Sequence, residues 1–254
     1  MYTSAQNHKQ AWLIGLLYGP ILPLLLVILG VDYLHIAESI DNIKLGVLLP
    51  MTLLAIALAS LITWQKWWKP LLWERRTLPM WTLLMPILMV CTIYNLFNST
   101  FAFAHETSYL VWAALATLGV GFCEEIVYRG ITVVGFRSRY AEWQVWLFSS
   151  LLFGLIHIWN FFAGQSLDAS ISQFISAFMS GCFLYMIRRA TGTIIVSMLL
   201  HAAWDWTLFV SAATGHAPKS DNMIATYLLF VMLALFLVSA KWLFAKPVSQ
   251  TTLP

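Results

Sequence analysis

Residues 108–130 read SYLVWAALATLGVGFCEEIVYRG. From Ser108 to Cys123 no side chain carries a charge; then Glu124, Glu125 and Arg129 follow in quick succession. A helix needs about 20 mostly apolar residues to cross a bilayer, and this stretch has them. An ionised side chain at that depth costs at least ~2.5–3.5 kcal/mol on insertion scales, so it is read as functional by default. Two further apolar stretches carry the same anomaly: Phe153-x-x-x-His157 and His201-x-x-x-Asp205.

The rest of the chain fits this reading. Sixty per cent of the residues are apolar and ten per cent are charged, against roughly 25% charged in a soluble domain. The fold class expected is all-α, a polytopic transmembrane bundle of about eight spans. They fall near 11–30, 45–64, 80–97, 108–130, 143–163, 171–187, 193–212 and 223–244. They fill the 254 residues as one integral membrane domain, with the motif-bearing helices in 108–212. Cys91, Cys123 and Cys182 all lie in apolar spans and give no disulfide framework.

Basic residues set the orientation. Lys9, Lys66, Lys69, Arg75, Arg76, Arg137, Arg139, Arg188, Arg189, Lys241 and Lys246 fall on one side, and Lys44 and Lys219 on the other. This eleven-to-two split, with Arg129 set aside as intramembrane, places both termini in the cytoplasm of a multi-pass cell-membrane protein. Two basic segments, KWWKPLLWERR at 66–76 and ITVVGFRSRYA at 131–141, are expected at the headgroup surface. Gly15 and Gly19 form GxxxG just before Pro20, which suits a bend or packing notch. The partners expected are the bilayer and a peptide or membrane-anchored protein, with no nucleic acid.

Adjacent helical residues point about 100° apart, so Glu124 and Glu125 cannot do the same work. Glu125 and Arg129 are i, i+4 with the acid first, the better order for a helical ion pair. Arg129 then holds Glu125, while Glu124 points elsewhere with Tyr128 one turn on. A partly desolvated Glu124 suits a general base; the alternative is a buried structural pair or proton relay. His157 shares a stripe with Phe153, with Asn160 three residues on, and by itself could be packing. Asp205 shares a face with His201 and can orient its ring; a local pair without chemistry is the other option.

EEIVYRG, FGLIHIWN and HAAWD, in this order, resemble the three motifs of the CAAX protease and bacteriocin-processing family, E-E-x-x-x-R, F-x-x-x-H and H-x-x-x-N or D. The resemblance implies an eight-helix intramembrane endopeptidase of the glutamate type. Span four runs inward with its motif near the cytoplasmic end, so the substrate is expected to meet the site from the cytoplasmic half of the bilayer, and no cofactor is expected. Glu124 matches its water-activating glutamate, and Glu125 with Arg129 the supporting pair. His157 matches the histidine that assists water activation, and His201 the one that stabilises the oxyanion. Asp205 stands where an amide can donate; a carboxylate only accepts unless protonated, so Asp205 is either a protonated donor or the group that orients His201. Two alternatives stay open. One is a zinc protease with metal held by His157, His201 and Glu124, a known ligand set though without H-E-x-x-H. The other is a bacteriocin-immunity or scaffolding protein without proteolysis.

Overall fold

The computed structural model describes residues 7–101, 106–214 and 223–244. Seven helices are long and apolar enough to cross a membrane: α1 (His8–Leu29), α2 (Ile40–Gln65), α3 (Met80–Asn98), α4 (Thr107–Phe136), α5 (Glu142–Ala163), α6 (Leu167–Thr191) and α7 (Ile194–Ala213). An eighth apolar helix, α8 (Tyr227–Leu243), is shorter. Among the described residues there is no strand, only an isolated bridge between Trp73 and Thr193. Lipid offers no hydrogen bonds to the backbone, so each spanning segment must satisfy its own, and helices do this.

The spans are not uniform. α1 bends where Tyr18 ends one helix and Pro20 caps the next, because proline cannot donate into the preceding turn. The GxxxG notch is filled from within the molecule. Tyr128 donates to the Gly15 carbonyl at 3.0 Å. A Cβ on Gly15 would lie 2.9 Å from Leu152 and 3.1 Å from Thr132, so α1 sits against α4 and α5. α4 and α7 approach still more closely. A Cβ on Gly121 would stand 2.5 Å from the Met198 carbonyl oxygen. Small residues permit such contact where no hydrophobic force drives helices together.

α4 runs six residues past its expected end at 130. Its α-helix Thr107–Glu125 passes into a π-helical segment, Ile126–Thr132, and resumes as Val133–Phe136. Every residue from Cys123 to Phe136 is buried. Of the segment 131–141 expected at the headgroup surface, residues 131–136 are therefore core, while Arg139 is exposed. Arg137 and Arg139 suggest a basic face, yet the helix that precedes them is core.

The segment 66–76 is likewise mixed, with Lys66, Lys69 and Arg75 exposed. Leu71 is fully buried beside Ile126, Ile131 and Ile194. Glu74 lies among arginines, 2.7 Å from Arg137, 2.8 Å from Arg188 and 3.5 Å from Arg189. Glu142 completes the cluster, 2.6 Å from Arg137 and 2.8 Å from Arg189, and it accepts from the Tyr185 hydroxyl. Burial alone would raise the Glu74 carboxyl, but Arg137, Arg188 and Arg189 hold it well below the usual carboxylate range. The Glu74 amide also donates to the Gly192 carbonyl at 2.9 Å, in a turn that needs glycine because its φ is +79°. One buried ionic cluster thus ties the α2–α3 connection to the end of α4, the start of α5 and the α6–α7 turn.

The outer surface is apolar: Leu17, Leu24, Ile28, Ile56, Leu199 and Phe230 are among many exposed hydrophobic side chains. Inside lie Glu124, Glu125, Arg129, Arg188 and His201, all buried, while exposed charges such as Lys9, Lys66, Lys69 and Arg139 lie outside the spans or at their ends. That inside-out distribution is the one a lipid-facing bundle requires.

Candidate active site

The ionisable groups foreseen from sequence converge in the bundle. α4 supplies Glu124 and Glu125 from the last turn before its π segment. Glu125 and Arg129 pair at 3.0 Å with both side chains wholly buried. The π turn leaves them in reach of each other although the backbone between them is not α-helical. π turns recur at functional sites because they re-aim side chains at the expense of regular hydrogen bonding.

α7 presents His201 to this pair. Its Nδ1 lies 3.1 Å from Glu125 Oε1. Its Nε2 faces Asp205 Oδ2 at 3.4 Å and Glu124 Oε2 at 3.8 Å. Glu125 therefore does more than neutralise Arg129: it orients His201 across the helix interface. Asp205 faces the opposite ring nitrogen, so two carboxylates grip the ring along α7 and α4.

α5 presents Phe153 and His157. The Phe153 ring is a hub: its centroid lies 5.5 Å from each of His157 and His201, edge-on to both, and 5.6 Å from Tyr128. The Arg129 guanidinium sits over its face at 4.0 Å, a cation–π contact in a desolvated setting. The Phe153 backbone carbonyl accepts from His157 Nδ1 at 3.0 Å. That bond puts the proton of a neutral ring on Nδ1 and leaves Nε2 with a lone pair. After Leu155, α5 tightens into a 3-10 segment, Ile156–Ala163. His157 is half-buried there, and Asn160 is buried.

Two supporting residues lie differently from expectation. Tyr128 turns its hydroxyl to the Gly15 carbonyl rather than toward Glu124, and packs edge-on to Tyr18. Asn160 donates to Gln173 Oε1 at 3.0 Å and not to the imidazole. Glu124 lies within ion-pair distance of His201, and the Phe153 ring touches both His201 and His157. Sequence reasoning missed Gln173 and Tyr33, which bond each other at 2.9 Å, and the Glu74 cluster. Polar residues inside α6 and beside α1 were the available signal.

Among the described residues no group of three His, Cys, Asp or Glu side chains is placed to hold a metal ion. His201 has carboxylates at both ring nitrogens. Cys123 sits beside Glu124 in sequence but donates to the Met51 carbonyl at 3.5 Å, a packing contact.

The arrangement offers a buried carboxylate, an imidazole with an open nitrogen, and a second imidazole anchored by acids. This is a set for proton transfer in a space shielded from bulk water. No curated protein and no solved structure matches the chain significantly. A family model does, over residues 106–207: type II CAAX prenyl endopeptidase Rce1-like. Those residues contain all three motifs, and the match points to a CAAX-type intramembrane endopeptidase. Through the helices that carry its buried acids and histidines, the chain is thus similar to the Rce1-like type II CAAX prenyl endopeptidases, the family its motifs resemble.

Proposed function

We propose that the protein hydrolyses a peptide bond inside the membrane with water activated by Glu124. The observation that carries this is the junction of Glu124, Glu125, His201 and Asp205 around one imidazole, backed by the buried Arg129. A buried ionic group is expensive, and three acids held against one histidine and one arginine suit chemistry better than packing.

In this mechanism a water lies between the Glu124 carboxylate and His157 Nε2. Glu124 takes its proton as the water oxygen attacks the scissile carbonyl carbon, with His157 holding the water by its lone pair. Negative charge gathers on the carbonyl oxygen. His201, doubly protonated between Glu125 and Asp205, faces that oxygen and stabilises it. The C–N bond then breaks, and Glu124 returns its proton to the leaving amine. Asp205 accepts from His201, in the orienting role. The proposal needs no metal.

Glu124 is followed by twelve residues of α4, about 18 Å of helix at 1.5 Å per residue. The site is therefore deeper than a motif at the span's end would place it. The substrate is a peptide or membrane-anchored tail that enters from the half of the bilayer holding the Arg-rich cluster, the cytoplasmic half by the distribution of Lys and Arg.

The test is cleavage of a peptide library by the purified protein. Wild type should cut, and Glu124→Gln, which keeps shape but takes no proton, should not. A strong chelator should leave the rate unchanged. Loss with chelator and recovery on adding zinc would replace the mechanism by a metal-dependent one. A protein inert toward every peptide, with Glu124→Gln behaving as wild type in cells, would favour the scaffolding alternative.

A further inference from the structure

A groove of about 290 Å³ lies between the ends of α1 and α2 that carry Lys9 and Lys66. Gln10, Leu13 and Ile14 come from α1, Leu61 and Gln65 from α2, and Trp67 from the connection that follows. The lining is graded. Gln10 and Gln65 stand at the helix ends, and Leu13, Ile14 and Leu61 lie about one turn deeper. Leu13 is exposed, an apolar side chain of the kind lipid covers. Amides at the headgroup end with aliphatic side chains below them suit an amphiphile. Ile14 and Trp67 also pack in one apolar cluster with Ile126 and Ile131 of the π segment, so the groove backs onto α4.

The turn that closes α2 is unusual. The Trp67 amide donates to the Ile62 carbonyl at 2.9 Å and the Lys66 amide to the Thr63 carbonyl at 3.1 Å, the pattern of a Schellman cap. Glycine is the common residue at the left-handed position of such a cap, because a Cβ is penalised there. Here it is Lys66, with φ +59°, the one non-glycine residue of positive φ among the described residues. A strained position of this kind points to a use for the side chain it keeps. The same cap buries Trp67 in the groove wall, where its indole N–H finds no acceptor within the protein. Lys9 precedes Gln10 and Lys66 follows Gln65, so each ammonium is borne next to a lining amide. Both lysines are exposed. The acids at this end, Glu74 and Glu142, are engaged by Arg137, Arg188 and Arg189.

We propose that this groove binds one anionic phospholipid of the bilayer, its phosphate held by Lys9 and Lys66 and an acyl chain laid along Leu13, Ile14 and Leu61. Charge selects the occupant: two basic side chains flank the polar end and favour a lipid of net negative charge over a zwitterionic one. Gln10 and Gln65 offer amide donors to the phosphate and glycerol oxygens. Through Ile14 and Trp67 the bound lipid braces the π segment of α4 from outside. The site is separate from the acid–histidine centre and does not depend on the hydrolase reading.

The experiment adds phosphatidylglycerol, or phosphatidylcholine with the same acyl chains, to the full chain in neutral detergent. Retained lipid is read by native mass spectrometry and by melting temperature. Wild type should keep one phosphatidylglycerol in preference to phosphatidylcholine and melt higher with it. Lys66→Gly suits the left-handed backbone, so without lipid it should melt no lower than wild type. It should nevertheless bind phosphatidylglycerol about fivefold more weakly, the effect of one basic side chain against an anionic headgroup. Lys9→Gln should lose a similar factor. Lys241→Gln, an exposed lysine on α8 outside the groove, should lose none. Leu61→Trp fills the groove with a residue at home near the interface and should abolish the retention. Equal retention of the two lipids overturns the proposal, as does wild-type retention in Lys66→Gly or Leu61→Trp. An equal loss in Lys241→Gln would show diffuse charge instead of a site. Inorganic phosphate should leave the melting temperature unmoved; a rise as large as the lipid's would show an ion site without a chain and overturn the proposal too.

Discussion

Arg129 has three jobs in one side chain. It neutralises Glu125, lies on the Phe153 ring, and fills space beside Gly181, where an added Cβ would meet its Nη2 at 3.2 Å. Its removal strands a wholly buried carboxylate. Arg129→Ala should cost about 3–5 kcal/mol, seen as lower yield and a lower melting temperature in detergent, with activity lost. Arg129→Lys keeps the charge but not the planar stack, so it should recover more stability than activity. Equal melting temperatures for Arg129→Ala and wild type would remove Arg129 from the account. This pair was legible in the sequence because i, i+4 spacing fixes geometry within a helix. The bond from Glu125 to His201 was not: it spans 76 positions and depends on how α4 and α7 rotate against each other. Asn160 shows the limit from the other side. Its spacing put it near the His157 face, but its partner, Gln173, belongs to another helix.

At the scale of elements, the contact between α4 and α7 sets the distance from Glu124 to His201. Gly121 is one turn before Glu125, and its missing side chain lets the Met198 carbonyl approach. Gly121→Ala should push the helices apart. Overpacking of this kind costs about 1–3 kcal/mol, and the activity loss should exceed what the lost stability explains, because the acid–histidine distances open. The measurement is kcat at a temperature where the variant is still fully folded; wild-type kcat there would show that the close approach is not needed. The existence of the spans was read correctly from apolar length. Their ends were less legible. Arg137 and Arg139 gave 131–141 the pattern of an interfacial helix, whereas two buried acids, Glu74 and Glu142, cover the charge of Arg137. Single-segment patterns do not record such cross-chain neutralisation.

For the whole molecule, the Glu74 cluster joins three connections at one end of the bundle, α2–α3, α4–α5 and α6–α7. Glu74 has a folded pKa below its unfolded one, so the unfolded state binds more protons as pH falls. Its contribution is complete above the ordinary Glu value, about 4.3, and is lost progressively as pH drops below it. The melting temperature should hold steady from about pH 7 to 5 and fall under about pH 4.5. Glu74→Gln should start lower and lose less over that acid range; identical acid profiles would show the cluster contributes nothing. Orientation is a second prediction at this scale. With eleven Lys and Arg residues on one side and two on the other, a reporter fused after Pro254 should be active inside the cell, and activity confined to the exterior would reverse the topology.

The π segment Ile126–Thr132 has a further consequence, for tolerance of deletions. Such a turn holds one residue more than an α-helix needs over the same length. Taking out Val127 would let the backbone settle into ordinary i to i−4 bonding while Phe136 and Arg137 kept their present faces. The same cut at Ala114, in regular helix, would swing everything beyond it by about 100°. The shortened chain lacking Val127 should therefore insert and fold far better than the one lacking Ala114, yet lose catalysis, since Arg129 would no longer meet Glu125 as it does now. If the two shortened chains accumulate to the same level, the surplus residue is not what lets this helix carry both its core packing and its chemistry.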